Sequence, residues 1–342
     1  MDKKSLGILI LLFVTSAILG VYFVFYKDKI PPDKNGGLIE RTCLSDNEHA
    51  DYKLTDNQKT EDSAVIIVKD KDTGNEKLQF TIHISNANHY HPLELHKCGI
   101  YAVRTFGYDF ERSVVLNDYR RELWKYSYDG AGGKKIFSDP SKLSTENILG
   151  DFRVDPNENY LTLLRGYLGS TDYAIVVKDL KSSENIFILT MAEIKSESIE
   201  LVGNIQFDDW TKDGRYLWVK THQGAVTLGF IRINVTNWNV DLLKAPEDVL
   251  GGDALNLENG WITVHPSNIW FGSADLDEEE RERRRKGGIG TDLYIENLFT
   301  KERRFVTHTD EPLWYFKPKW LSDTELQYTL PSGEAKIFTI PK

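Results

Sequence analysis

Four histidines, His83, His89, His91 and His96, crowd one short stretch beside Cys98. Imidazoles two residues apart on a strand share a face, so His89 and His91 could ligate a metal with a third group from elsewhere. His91, however, precedes Pro92 in a polar loop containing Asn86 and Asn88, and no carboxylate partner is set by spacing. The stretch reads as loop histidines, exposed or hydrogen-bonded. No metal and no other cofactor is expected.

Acid–base and nucleophilic chemistry are equally thin. A serine hydrolase needs a Gly-x-Ser-x-Gly elbow and an α/β domain behind it. Gly166-Tyr167-Leu168-Gly169-Ser170-Thr171 is instead a polar loop between strands, and no α/β domain is visible. A glycosidase needs two carboxylates spaced as an acid and a nucleophile or base. With 52 Asp and Glu in the chain such a pair can always be imagined, and its position is not legible. Thr211-Lys212-Asp213-Gly214-Arg215-Tyr216-Leu217-Trp218 comes near a sialidase-type Asp box but places its Gly one residue early. The simpler reading is a turn in which Asp213-Gly214 supplies the tight bend. Asn234-Val235-Thr236 matches a glycosylation acceptor, meaningful only in a eukaryotic luminal protein.

Two features remain. Cys43 and Cys98 form an even pair, either one structural disulfide in an oxidising compartment or two buried thiols. A bridge between them would fasten the N-terminal segment to the first blade. The other feature is a charge run, Asp275 to Lys286, that includes Glu279, Glu280, Arg281, Arg283, Arg284 and Arg285. Asp277→Arg281, Glu279→Arg283 and Glu280→Arg284 are acid-to-base pairs at the favourable i,i+4 spacing, so a short solvated helix is expected. It reads as an inserted loop between the second and third strands of a sheet, either simply solvated or a docking loop for a partner.

The elements that would position these groups begin with a membrane anchor. Ser5 to Tyr26 carries no charge and is flanked by Lys3, Lys4 and Lys27. About 22 residues at about 1.5 Å each span a hydrocarbon core about 30 Å thick. The distal Tyr22-Phe23-Val24-Phe25-Tyr26 suits an interfacial belt better than a peptidase site. Residues 1–27 are therefore expected to be an N-terminal transmembrane signal-anchor, 28–39 a linker, and 40–342 a single domain outside the cytoplasm.

That domain reads as all-β. Apolar segments such as Ala64–Val68, Ile100–Val103, Tyr160–Leu164, Ala174–Val177 and Tyr216–Val219 are short, β-branched or aromatic, and stop at turn residues. They recur in two units. One is a hairpin, seen in Glu122–Phe137 and Asp292–Thr307; the other is strand, polar turn and aromatic strand, seen in Phe152–Leu163 and Trp210–Val219. Aligning the turns at Cys98, Asp155, Lys212, His265 and Ser322 gives intervals of 57, 57, 53 and 57 residues. A two-hairpin repeat of that length is one four-stranded blade, and radial stacking buries faces that a lone sheet leaves open. Five units fill Asp62–Lys342; with Ala335–Ile340 as an extra strand the count is five or six, and the N-terminal hairpin is expected to complete the last blade.

At Trp210–Val219 and Glu122–Phe137 the chain resembles the TolB-like and WD40-like propeller repeats. The resemblance implies one β-propeller of five or six four-stranded blades, preceded by the transmembrane helix, and says little about activity. Similar propellers precede the hydrolase domain of prolyl-oligopeptidase-like enzymes, which the missing elbow excludes here. A protein-interaction or scaffold module is expected, bound to the membrane through its N-terminal helix and to another envelope protein or a cell-wall polymer. The alternative is a glycan-active hydrolase or lyase with carboxylates at the propeller channel. The formal charge of −10 argues against nucleic acid.

Overall fold

The computed structural model describes residues 43–55, 63–84, 93–109, 114–130, 132–139, 148–166, 173–198, 201, 203–223, 226–246, 253–265 and 274–341. The expected membrane segment 1–27, the linker 28–39, and His89 and His91 lie outside the described residues. Among the described residues no helix is long and apolar enough to cross a membrane.

The strands form six antiparallel sheets, each a meander in chain order. The first holds β1 (Glu48–Thr55), β2 (Ser63–Asp70) and β3 (Glu76–His83). The second holds β4 (Leu93–His96), β5 (Gly99–Asp109), β6 (Val114–Tyr126) and β7 (Gly133–Asp139). The third holds β8 (Ile148–Val154), β9 (Tyr160–Gly166), β10 (Tyr173–Asp179) and β11 (Asn185–Thr190). Then come β12 (Asn204–Trp210), β13 (Tyr216–Gln223), β14 (Val226–Asn234) and β15 (Val240–Lys244). The fifth holds β16 (Trp261–Val264), β17 (Thr291–Asn297) and β18 (Arg303–Thr309), and the sixth β19 (Lys319–Trp320), β20 (Glu325–Thr329) and β21 (Ala335–Thr339). Two short helices interrupt the pattern, α1 (Met191–Glu197) after β11 and α2 (Ala274–Lys286) between β16 and β17.

Strand side chains alternate between faces, and in the middle of each sheet both faces are apolar. In β5, Ile100 and Ala102 pack against Ile66, Val68 and Ile82 of the first sheet, whereas Tyr101 and Val103 pack against Phe152, Leu161 and Leu163 of the third. In β13, Leu217 and Val219 join Leu164 and Ile175 of the third sheet, while Trp218 joins Ile262 and Val264 of the fifth. Trp261 and Ile295 then meet Leu326 and Tyr328 of the sixth. Every interior sheet is thus sandwiched between its predecessor and its successor, which is the blade stacking of a β-propeller.

The turns after the innermost strands stitch the blades together. Lys97 Nζ donates to Asp46 at 2.7 Å, and Cys98 N donates to Glu158 at 2.7 Å. Asn157 Nδ2 donates to the Asp213 carbonyl, Lys212 N to Glu258, and Asn256 Nδ2 to the Ser322 and Asp323 carbonyls. Gly214 sits in this series at φ +71°, a left-handed conformation that favours glycine, and a Cβ there would press on the Asn157 amide 2.8 Å away.

Of the five or six blades expected, six sheets are present among the described strands, because β1–β3 form a blade sheet of their own; two further expectations need correction. For the same reason, among the described residues the hairpin of β1 and β2 belongs to the first sheet and not to the last blade, where β21 pairs with β20. The fourth aligned turn is not at His265 but at Asn256–Gly260, where Asn256 N donates to the Trp261 carbonyl and Leu255 bridges Ile262. His265 follows β16, a strand later. A near-constant interval misplaced it because the insertion carrying α2 lengthens the fifth blade between its second and third strands.

Candidate functional site

The inner strands of the second, third and fourth blades bring together two carboxyls raised by burial, Glu94 and Asp208, and a buried arginine, Arg153. Glu94 on β4 accepts a hydrogen bond from Val154 N at 2.9 Å, its Oε2 lies 3.2 Å from His96 Nε2, and its Oε1 lies 3.6 Å from Arg153 Nε. Burial pushes its carboxyl up, and His96, Arg153 and the Val154 amide pull it partly back. Arg153 on β8 is 4% exposed. Its guanidinium donates to the carbonyls of Phe152 at 2.7 Å, Phe207 at 3.2 Å and Asp208 at 3.4 Å, so one side chain ties the inner strand of the third blade to that of the fourth.

Asp208 on β12 completes the cluster. Burial raises its carboxyl to about 6, against the pull of Lys220 and Arg153, and the neighbouring Asp209 adds to the rise. Its Oδ2 is occluded and has no hydrogen-bond partner. A carboxylic acid titrating near neutrality has the proton affinity that acid–base work requires. Glu94, by contrast, has its oxygens committed to neighbours.

A second pair sits in the fifth blade. His265 is 1% exposed, its Nδ1 lies 2.5 Å from Asp253 Oδ1, and its ring stacks on Phe316 with centroids 5.8 Å apart. Thr263 Oγ1 also donates to Asp253. The carboxylate orients the imidazole as in hydrolytic triads, yet no hydroxyl or thiol is hydrogen-bonded to the other ring nitrogen among the described residues. The pair fastens the segment before the Leu255–Ile262 bridge to the end of β16. Nothing in the sequence had marked it, since a single Asp and a single His twelve residues apart carry no spacing signal.

Of the residues singled out by sequence, Cys43 and Cys98 are placed as a disulfide with Cα atoms 4.0 Å apart. Leu44 N donates to the Lys97 carbonyl beside it, so the segment entering the domain is held against the turn of the second blade by both bonds. His83 ends β3, and His96 serves Glu94. No group of three or more His, Cys, Asp or Glu side chains able to hold a metal occurs among the described residues. Asn234 accepts a hydrogen bond from Thr236 N, the turn chemistry of the β14–β15 hairpin.

The charge run forms the expected helix, α2, within the insertion. Of the three expected i,i+4 pairs Glu280 with Arg284 is present, whereas Arg281 meets Glu278 and Arg283 also takes Glu280, both at i,i+3. Glu280 faces the blade, beside the buried Arg284, and its two oxygens serve both cations, whose hydrogen bonds pull it down to about 2. Arg285 also reaches Glu311 at 3.1 Å, anchoring the helix end to the segment after β18. Glu278, Glu279, Arg283 and Lys286 remain exposed. The basic residues fill the last turn, where the helix dipole favours them.

No protein-family model matches this sequence. No curated protein matches it. Among solved structures the chain is similar to an oligogalacturonate lyase in complex with manganese (9% identity, TM-score 0.48, 82% of this chain and 74% of that one). It is similar to the β-propeller domain of the Trilobed protease from Pyrococcus furiosus, described as having an open velcro topology (11%, 0.43, 89% and 84%). It is also similar to TolB from Acinetobacter baumannii (12%, 0.30, 86% and 77%). The chain spans 63% of the length of an uncharacterized protein from Listeria monocytogenes EGD-e that it matches at 8% identity and TM-score 0.38. At such identities the likeness concerns fold alone; the propeller assignment rests on the strand topology above.

Proposed function

We propose that this chain is a membrane-tethered propeller held outside the cytoplasm, acting as a protein-interaction or scaffold module whose docking element is helix α2. The observation that carries the reading is how the charges are spent. The inner strands use theirs between blades, with Arg153 on three carbonyls and Glu94 on a neighbouring amide. Helix α2 holds a preformed charged surface, seated by Arg284 and Arg285 and open at Glu278, Glu279, Arg283 and Lys286. A rigid exposed element loses little conformational entropy on binding. The apolar run Ser5–Tyr26 and the Cys43–Cys98 pair support a tethered domain in an oxidising compartment. The partner proposed is another envelope protein. Cross-linking and capture from intact membranes tests this: Glu279→Lys with Arg283→Glu should abolish recovery of the partner, and unchanged recovery would refute the docking role of α2.

A second reading, a glycan-active hydrolase or lyase, is favoured by Asp208 alone, an inner-strand carboxyl raised to about 6 with one oxygen unpartnered. Turnover of a glycan panel that disappears in Asp208→Asn and survives in the α2 variant would support it over the scaffold.

A further inference from the structure

Among the described residues the sixth sheet stops one strand short of its neighbours. β10, β14 and β17 are each covered on the outside by a further strand, β11, β15 and β18. The turn at Ser322 belongs to the series that stitches the blades and joins β19 to β20, so the next strand, β21, stands where those covered strands stand. No strand lies against its outer edge among the described residues. Burial shows the difference. Val176, Ile231 and Ile295 of the covered strands are at most 1% exposed, whereas Ile337 of β21 is 57% exposed, more than any other large apolar side chain among the described residues.

Hydrogen-bonded and non-bonded pairs alternate along an antiparallel ladder. Leu330 N donates to the Glu334 carbonyl and Ile340 N to the Thr324 carbonyl, at the two ends of a register that sets Tyr328 against Lys336 and Leu326 against Phe338. Glu334, Lys336, Phe338 and Ile340 therefore turn their peptide groups toward β20. Ala335, Ile337 and Thr339 turn theirs outward, and outward peptide groups on an edge are a template for another strand. Charge does not block the approach: Lys336 is the one ionic side chain of β21, and Glu334 pairs with it.

We infer that β21 is a self-association edge, on which β21 of a second copy of this chain pairs antiparallel about a two-fold axis at Ile337. The same residues dictate the register. With the axis at Ile337, that residue meets its own copy and Ala335 meets Thr339, so every outward peptide group finds a partner and the exposed isoleucine is covered. On the other face Lys336 comes opposite the Phe338 ring, not another cation. With the axis at Lys336 two ammonium groups would face each other, and with it at Phe338 the outward groups of Ala335 would meet Pro341, which has no N–H. The edge is thus self-complementary, as an isologous contact must be. A strand of five residues makes a small contact, so the association is reversible and rises with concentration. It goes beyond the docking reading and uses a surface other than α2.

The test is disulfide cross-linking of the full chain in detergent micelles, without reductant so that Cys43–Cys98 stays closed. Opposed residues of a hydrogen-bonded antiparallel pair have Cα atoms about 5.5 Å apart, within disulfide range. Ile337→Cys should therefore cross-link to its own copy. Ala335→Cys alone and Thr339→Cys alone should not, but a mixture of the two should cross-link to each other. Association through the N-terminal apolar segment would favour none of the three positions. Ile337→Asp, which sets two carboxylates opposite one another in place of an apolar pair, should weaken dimerisation by about tenfold or more in sedimentation, with an unchanged melting temperature because the side chain is exposed. The inference is overturned if the wild type is monomeric at every concentration, if the three cysteine variants cross-link alike, if Ile337→Asp dimerises like wild type, or if Ile337→Cys captures a different protein in place of its copy. None of these outcomes bears on the docking reading, since partner capture through α2 is scored on the Glu279 and Arg283 variants.

Discussion

The inner seam of blades two to four and the inserted helix of blade five use the same residue types to opposite ends. At the seam, Glu94 and Arg153 are buried and committed to neighbouring backbone. On α2, Glu278 and Arg281 meet in solvent at 2.8 Å with side chains 56% and 36% exposed. Removing a partner from the buried set strands a desolvated charge, whereas removing one from the exposed set returns its mate to water. An ion pair therefore works as mortar between blades or as a recognition surface according to burial, not composition.

The sharpest way to break this comparison is Arg153→Ala. It would leave Glu94 without its arginine partner and take one donor from each of three inner-strand carbonyls, and should lower the unfolding free energy by about 3–5 kcal/mol, read from denaturant midpoints. A loss as small as a surface substitution would mean that the seam is not mortar. Next is the covalent tie. Cys43→Ser with Cys98→Ser opens a loop with a sequence separation of 55 residues and should cost about 2–4 kcal/mol, measured against the oxidised protein.

The acidity of the seam supplies a third check. Asp208 has an ordinary value of 3.8 and is raised to about 6 in the folded protein, so between these values the folded state holds a proton that the unfolded chain has released. Its contribution to stability is present at the acid side of that window and is lost as pH rises through about 6. Glu94, also raised, acts in the same direction. Asp208→Asn should flatten this part of the stability–pH profile and stabilise the protein at pH 7 and above; a variant profile parallel to wild type would remove Asp208 as the source. The smallest effect belongs to the helix. Arg281→Ala should change stability by no more than about 0.5 kcal/mol, as exposed pairs do, and a larger loss would show that α2 is part of the core.

Sequence periodicity carried the blade idea because strands with two buried faces announce themselves in runs such as Tyr216–Val219, and the two-hairpin unit could be seen twice. It failed at His265 because a constant interval cannot register an insertion. A better signal was present. The outer hairpins open on Asp70, Asp179, Asn234 and Asn297, whose side chains accept from the amides of Thr73, Ser182, Thr236 and Thr300, and the fifth residue of each is left-handed: Gly74, Ser183, Trp238 and Lys301. Those Asx turns mark the ends of β2, β10, β14 and β17, each the strand before the outermost one of its sheet, whatever the insertion length. The perturbed carboxyls left no comparable trace, because desolvation depends on neighbours brought from other blades.

By itself the sequence determined the strand chemistry, the repeated hairpins, the apolar N-terminal segment and a helix of charges flanked by glycines, since each depends on residues near in the chain. Only the tertiary structure decided that six sheets stack, that Cys43 meets Cys98, that Asp208 is pressed to an acidity near neutrality and that β21 is the outer edge of its sheet. Those outcomes depend on which strand lies beside which and on how much water is left between them. Neither quantity is a property of any one stretch of chain.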